Sequence, residues 1–277
     1  VFSGKDQKFQ TKRKQGAAHM RQKKINPEIM YEDTEIIVCV KPAGVPVQTS
    51  RAGETDLTSA LKNYRAKKGE EPYIGLIHRL DQPVRGIMVF AKTREAAAAL
   101  SRQVSQRQIT KEYLAVVCSP ADPESLPAAD RSPADTSPTG PRFSRRLPPS
   151  GQLHDYLLRD GKTNTSRVVP AKTPGAREAL LSYEVLQACP ETGHSLIKIR
   201  LHTGRHHQIR VQFAHAGFPL YADTKYGQPL PKGAYCPVAL CSCRIEFTHP
   251  GNGNKMEFSL GDDCLNDLLS QAVTPTV

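Results

Sequence analysis

Two stretches of this 277-residue chain gather side chains able to do chemistry. The first is HRLDQPVRG at 78–86, which sets His78, Arg79 and Asp81 almost side by side. A carboxylate on a connection between ordered elements can act as a nucleophile, a general base or a charge stabiliser. It can equally be an ordinary turn residue, because Asp and Pro are plain turn formers. The second is LHTGRHHQIRVQFAHAG at 201–217, which holds His202, Arg205, His206, His207, Gln208 and Arg210. Cations at the start of a helix suit an anionic ligand such as a phosphate, and they also make a plain solvated helix start. An arginine on that helix could instead face a carboxylate from elsewhere and keep it ionised. A metal reading of these histidines is weaker, because no carboxylate sits at ligand spacing and adjacent histidines point apart. Hydrolysis built on His78 or His207 would need a second carboxylate or a metal set, and the sequence offers no convincing candidate.

The elements that must position these residues follow from the patterning. Asp81 lies between two apolar runs, YIGLI (73–77) and IMVFA (87–91), which read as buried strands. Pro83 and Gly86 shape the turn between them. EIIVCVKPAGVPVQ (35–48) reads as a strand and a Pro/Gly turn, and LTSALKNYRAKKG (57–69) as a helix ending at Gly69. TREAAAALSRQVSQ (93–106) predicts a second helix, with Thr93 as N-cap and Ala96, Leu100 and Val104 on one face. KEYLAVVC (111–118) and HSLIKIRLHT (194–203) read as strands, the latter alternating in and out. The Arg/His-rich stretch switches to helical spacing, with Thr203 able to cap it and Gly217 able to end it. RIEFTH and KMEFSL predict two more strands, and 263–273 a closing helix. Strands outnumber helices and several follow one another directly. That predicts an α+β fold with a mostly antiparallel sheet and flanking helices.

Composition bounds the rest. No apolar run is long enough to span a membrane, and no apolar segment follows the basic N-terminus as in a signal peptide. The seven cysteines are odd in number and form no CxxC pair, which predicts reduced thiols and a cytoplasmic protein. Cys236, Cys241, Cys243 and His249 lack the paired spacing of a structural zinc site, so no metal is expected. Residues 1–24 carry seven of the eleven net positive charges. They read as a flexible basic tail able to meet a polyanion. Residues 119–151 hold eight of the 22 prolines and little apolar content, and read as a flexible insertion.

HRLD (78–81), KEY (111–113) and LHTGRHHQIRVQFAHAGFPLYADTKYG (201–227) together resemble the RluA family of pseudouridine synthases. KPAGVPVQ (41–48) and FTHPGNGNKMEF (247–258) are similar to that family's flanking segments. The resemblance runs in order over about residues 25–262, apart from the insertion. It implies one catalytic domain over 25–277 with the pseudouridine synthase fold, without the S4-type domain of many relatives.

The same resemblance implies the isomerisation of uridine to pseudouridine in structured RNA, with a stem-loop of rRNA or tRNA as partner and a monomeric enzyme. Asp81 takes the place of the family's essential aspartate, Tyr113 that of its active-site tyrosine, and Arg210 that of the arginine paired with the aspartate. Arg79 is similar to an arginine that enters the RNA where the target base leaves. His78, Arg205, His207 and Lys41 are the further candidates for RNA contact. No cofactor is expected, since an isomerisation moves no electrons in or out. Where the family usually reads HRLD-x-x-Thr-Ser-Gly, this chain has Val84 and Arg85 before Gly86. That departure keeps open an alternative, a non-catalytic RNA-binding protein on the same fold.

Overall fold

IIVCVK is apolar nearly throughout, and every one of its residues is buried in strand β2 (Ile36–Lys41). A strand buried on both faces needs layers above and below it, and the rest of the chain supplies them. The computed structural model describes residues 25–51, 54–119, 147–189, 192–227, 236–261, 264–266 and 268. Among them, β2 pairs antiparallel with β1 (Glu28–Glu32) on one side and with β4 (Arg85–Ala91) on the other. The two-residue strand β3 (Gly75–Leu76) also lies against β4, so the Asp81 stretch connects two paired strands, as the sequence predicts.

The sheet continues through β10 (Leu240–Thr248), β5 (Thr110–Cys118), β9 (His194–Leu201) and β8 (Arg177–Cys189). It ends in the hairpin of β6 (Ser150–Asp160) and β7 (Thr165–Val169), and β11 (Lys255–Ser259) adds to β10. The β4–β10 contact is parallel and short, through Cys241↔Arg85 and Ser242↔Gly86, while the other pairings are antiparallel. The fold is thus a mixed, mostly antiparallel sheet with few helices. Gly86 makes the parallel contact possible. Its φ of +146° and the 2.5 Å between an added Cβ and the Ser242 backbone leave no room for a side chain.

Alternation along the strands feeds two cores. On one face Ile37, Cys39, Met88, Phe90, Tyr113 and Ile199 pack against Leu57 and Leu61 of α1 (Leu57–Lys67) and Ile209 and Phe213 of α3 (Gln208–His215). On the other, Ile36, Val38, Ile87 and Val89 meet Ala96 and Leu100 of α2 (Arg94–Ser105). Thr93 caps α2 by accepting from the Ala96 N–H, as its sequence predicts. Cys241 and Cys264 are buried in a third apolar cluster, with Cys243 packed against it.

The basic tail, most of the insertion and most of the predicted closing helix lie outside the described residues. Among the described residues no helix is long and apolar enough to cross a membrane.

Candidate active site

Asp81 owes its position to its neighbours. Leu80 and Val84 are buried on either side of it and anchor the loop in the α1/α3 core. A valine at 84 therefore suits packing rather than ligand contact. The Val84 N–H donates to the Asp81 carbonyl, closing the turn, and the Gly44 N–H donates to the Gln82 carbonyl. Lys41 ties the same region together from beneath. Its ammonium donates to the carbonyls of Pro42, Val45 and Gln82 at 2.8–3.0 Å. Held in this way, the Asp81 side chain stays 24 % exposed at the floor of a cleft.

The Arg/His-rich stretch folds locally by an unusual start. Thr203 is not the cap of α3: its hydroxyl donates to Gln208 Oε1 and accepts from the Leu180 N–H. The N-cap is His207, in the left-handed region at φ 54°, with no side-chain capping bond. That kink separates the histidine rings from the helix face. His206 and His207 stack at 3.7 Å, and each also bonds outward, His206 to Ser166 and His207 to the Tyr226 hydroxyl. At the other end, Gly217 adopts φ +87° and the Phe218 N–H returns to the Phe213 carbonyl, as a glycine-terminated helix should.

Arg210, on the first turn of α3, reaches Asp81 with Nη1 at 3.1 Å. It is bound more fully to Asp223, through Nε and Nη2 at 2.7 Å each. The Tyr226 ring lies 5.2 Å from its guanidinium carbon. His207 Nε2 stands 3.7 Å from the same Asp81 oxygen that Arg210 contacts. Tyr113 projects from β5 beside Ser242 and lines the same cleft. The structure thus assembles Asp81, Tyr113 and the His207–Arg210 turn from three separate segments.

Burial dominates the electrostatics. It lifts the Asp81 carboxyl above its usual range, while Arg210 pulls it down and Asp223 partly cancels that pull. The pairing of Arg210 with Asp81 that the resemblance implies is present, but the arginine's charge is shared between two carboxylates. Burial also raises the Tyr113 phenol. It lowers His207 to about 2, with Arg210 adding to the effect, so this imidazole is neutral.

Two expected RNA contacts are buried and bonded within the protein. Lys41 is completely buried, and its three carbonyl bonds make it a brace for the Asp81 loop rather than a phosphate ligand. Burial holds its pKa near 7. His78 is also buried, and its Nε2 accepts from the Val89 N–H at 3.2 Å, so its ring clips the loop to β4. Burial lowers it to about 3. Arg79 is exposed and touches Gln48. Arg205 is half-buried, with Nε donating to the Glu178 carbonyl. Both line the cleft.

That cleft measures about 1240 Å³ and is bordered by Arg51, Arg79, Arg107, Lys111, Arg159 and Arg205. Pockets for small molecules usually span ~300–1,000 Å³ and are mostly apolar. A wider trough edged by cations suits a polyanion. Sequence reasoning missed Asp223 and Tyr226, although both stand in the ADTKYG segment. The signal there is a turn: Asp223 Oδ1 accepts from the Lys225 and Tyr226 N–H groups. That pattern marks local geometry and says nothing of the arginine it meets.

Residues 35–215 match the family described as RNA pseudouridylate synthase. The ribosomal large subunit pseudouridine synthase D of Vibrio cholerae is 32 % identical over 244 residues, covering 83 % of this chain and 65 % of the relative. The protein of the same name from Nitrosomonas europaea is 32 % identical over 246 residues, covering 85 % of this chain and 62 % of the relative. The chain therefore spans just under two thirds of the length of these relatives. Among solved structures, human RNA pseudouridylate synthase domain containing 4 aligns with TM-score 0.63 at 19 % identity, covering 90 % of this chain and 95 % of that one. That likeness establishes the fold.

Proposed function

The chain belongs to the RNA pseudouridylate synthase family, and from that premise we propose that it converts uridine to pseudouridine in RNA, with Asp81 as the essential carboxylate. The observation that carries this reading is the Asp81–Arg210 pair at 3.1 Å on the floor of a cation-edged cleft. The relatives are named for the large ribosomal subunit, so large-subunit rRNA is the proposed substrate.

The chemistry suits these groups. The bond from C1′ to N1 of uracil breaks, the base turns, C5 joins the same carbon and gives its hydrogen to water, and N1 takes up a proton. A carboxylate beside C1′ can attack it or stabilise its loss of the base, as glycosidase carboxylates do; a route through a glycal uses the same residue. Arg210 aims Asp81 and balances its charge. Tyr113 offers a flat face for the base. Its raised pKa keeps the phenol protonated, so it can donate a hydrogen bond. Neutral His207 offers a second polar group beside the carboxylate.

The target base must first leave its stack, at a cost of about a few kcal/mol. Arg79, exposed on the rim three residues from the end of β3, is placed to fill the vacated space. Arg205, also in the cleft lining, contributes phosphate contact.

The test uses an in vitro transcript of large-subunit rRNA carrying tritium at C5 of uracil. Wild type should release tritium to water without added metal or cofactor, and Asp81→Asn should not. Tight binding without release would leave the non-catalytic RNA binder as the better reading.

A further inference from the structure

Lys111 opens the KEY stretch on β5, two residues before Tyr113 and on the same face of the strand. The intervening Glu112 points away, to Lys198 at 3.1 Å and Arg244 at 3.4 Å. Lys111 lies in the cleft wall, and its charge acts on His78. Several cleft cations are engaged: Arg210 by two carboxylates, Arg205 by a carbonyl, Arg79 by Gln48 and Arg159 by Asn164. Lys111 differs from them. Among the described residues its side chain has no hydrogen bond and no ion pair, and burial lowers its pKa.

A partly desolvated ammonium without a counter-ion is costly, and an arriving anion relieves that cost through charge-assisted hydrogen bonds. The space for one is present. Gly204, exposed in the turn before α3, faces the ammonium. A Cβ there would stand 3.6 Å from Lys111 Nζ, so the ammonium lies against this exposed turn where both residues line the cleft.

We infer that Lys111 holds a backbone phosphate next to the target uridine, on the cleft side of β5 beside the Gly204 turn. The inference rests on the RNA reading above. A phosphate suits a partly desolvated ammonium better than a neutral oxygen of the base, because the anion supplies the missing charge. Lys111 is rooted two residues, ~6.6 Å along the strand, from Tyr113.

The experiment measures binding of the full chain to a large-subunit rRNA transcript over a range of salt, with Asp81→Asn as background to prevent turnover. Adding Lys111→Met should weaken binding about tenfold and flatten the slope of log K against log salt by about 0.7–0.9, one phosphate's worth. Lys111→Arg should restore the slope. In otherwise wild-type protein, Lys111→Met should raise KM more than it lowers kcat. Lys111→Gln, with melting followed in parallel, separates lost contact from lost fold.

An unchanged slope with unchanged affinity would overturn the inference. An unchanged slope with a fallen kcat would overturn it too, in favour of a contact to the base. Absence of tritium release by wild type would sink the isomerase reading, while the binding slopes would still decide the role of Lys111. No binding to the transcript by either variant would overturn both.

Discussion

Asp223 holds Arg210 with two hydrogen bonds of 2.7 Å, while Asp81 receives one of 3.1 Å from the same guanidinium. The buried carboxylate orients the fork, and the remaining Nη1 is aimed at the cleft. Arg210 is therefore a positioned cation shared by two anions, not a simple partner of Asp81.

Removing the charge of Asp223 should alter the titration of Asp81. Asp223 raises the Asp81 carboxyl, while Arg210, Lys41 and a neutral His207 surround it. In Asp223→Asn more of the arginine's field falls on Asp81, so the acid limb of the pH–rate profile should move to lower pH. Asp223→Ala instead leaves a buried arginine half-paired, and should lose about 3–5 kcal/mol of stability in a denaturant titration. An Asn variant with an unmoved acid limb would show that Asp223 serves packing alone.

Asp81→Asn should lower tritium release by about 10³-fold or more, as expected when the group that meets the developing charge is lost. Its fold should hold. Because burial raises the folded pKa of Asp81, the wild type binds this proton more readily than the unfolded chain does. Its contribution is thus lost as pH rises above the unfolded value of ~3.9 through the raised folded one. The Asn variant should melt higher than wild type at neutral pH and level with it in acid. A lower melting point at neutral pH would contradict that sign.

His78 and His207 are buried in neutral form, lowered to about 3 and about 2. Below the unfolded value of ~6.5 the unfolded chain takes protons that the fold refuses. Stability should therefore fall as pH falls from ~6.5 toward those folded values, by up to ~1.4 kcal/mol per pH unit for each histidine. Urea midpoints at pH 7 and pH 5 read this directly. His78→Asn should make the loss shallower by one histidine's share, and an equally steep loss would argue that the ring protonates in the folded state.

Lys41→Met should cost about 2–4 kcal/mol, because three carbonyls lose a charged donor in a dry site. Turnover should fall with the ordering of the Asp81 loop, while the salt slope of RNA binding stays unchanged. A flatter slope would return Lys41 to the phosphate-binding role that the sequence suggests.

Much of the scaffold could be read from local pattern. The run at 87–91 is strand, the run at 73–77 contributes the two-residue β3, Thr93 caps α2, and Gly217 closes α3, because periodicity, caps and glycine conformations act over a few residues. The candidate groups Asp81, Tyr113 and Arg210 were legible from their motifs. Their neighbours were not. Arg210 meets Asp81 across 129 positions, and Lys41 meets the Gln82 carbonyl across 41. A lysine in a Pro/Gly turn reads as solvated until three carbonyls converge on it, and Asp223 reads as a turn residue until α3 brings an arginine to it. By itself the sequence determined which chemical groups exist and which local elements carry them. Only the tertiary structure decided which are buried, paired or left facing the cleft, because desolvation and ion pairing depend on atoms that long-range packing brings together.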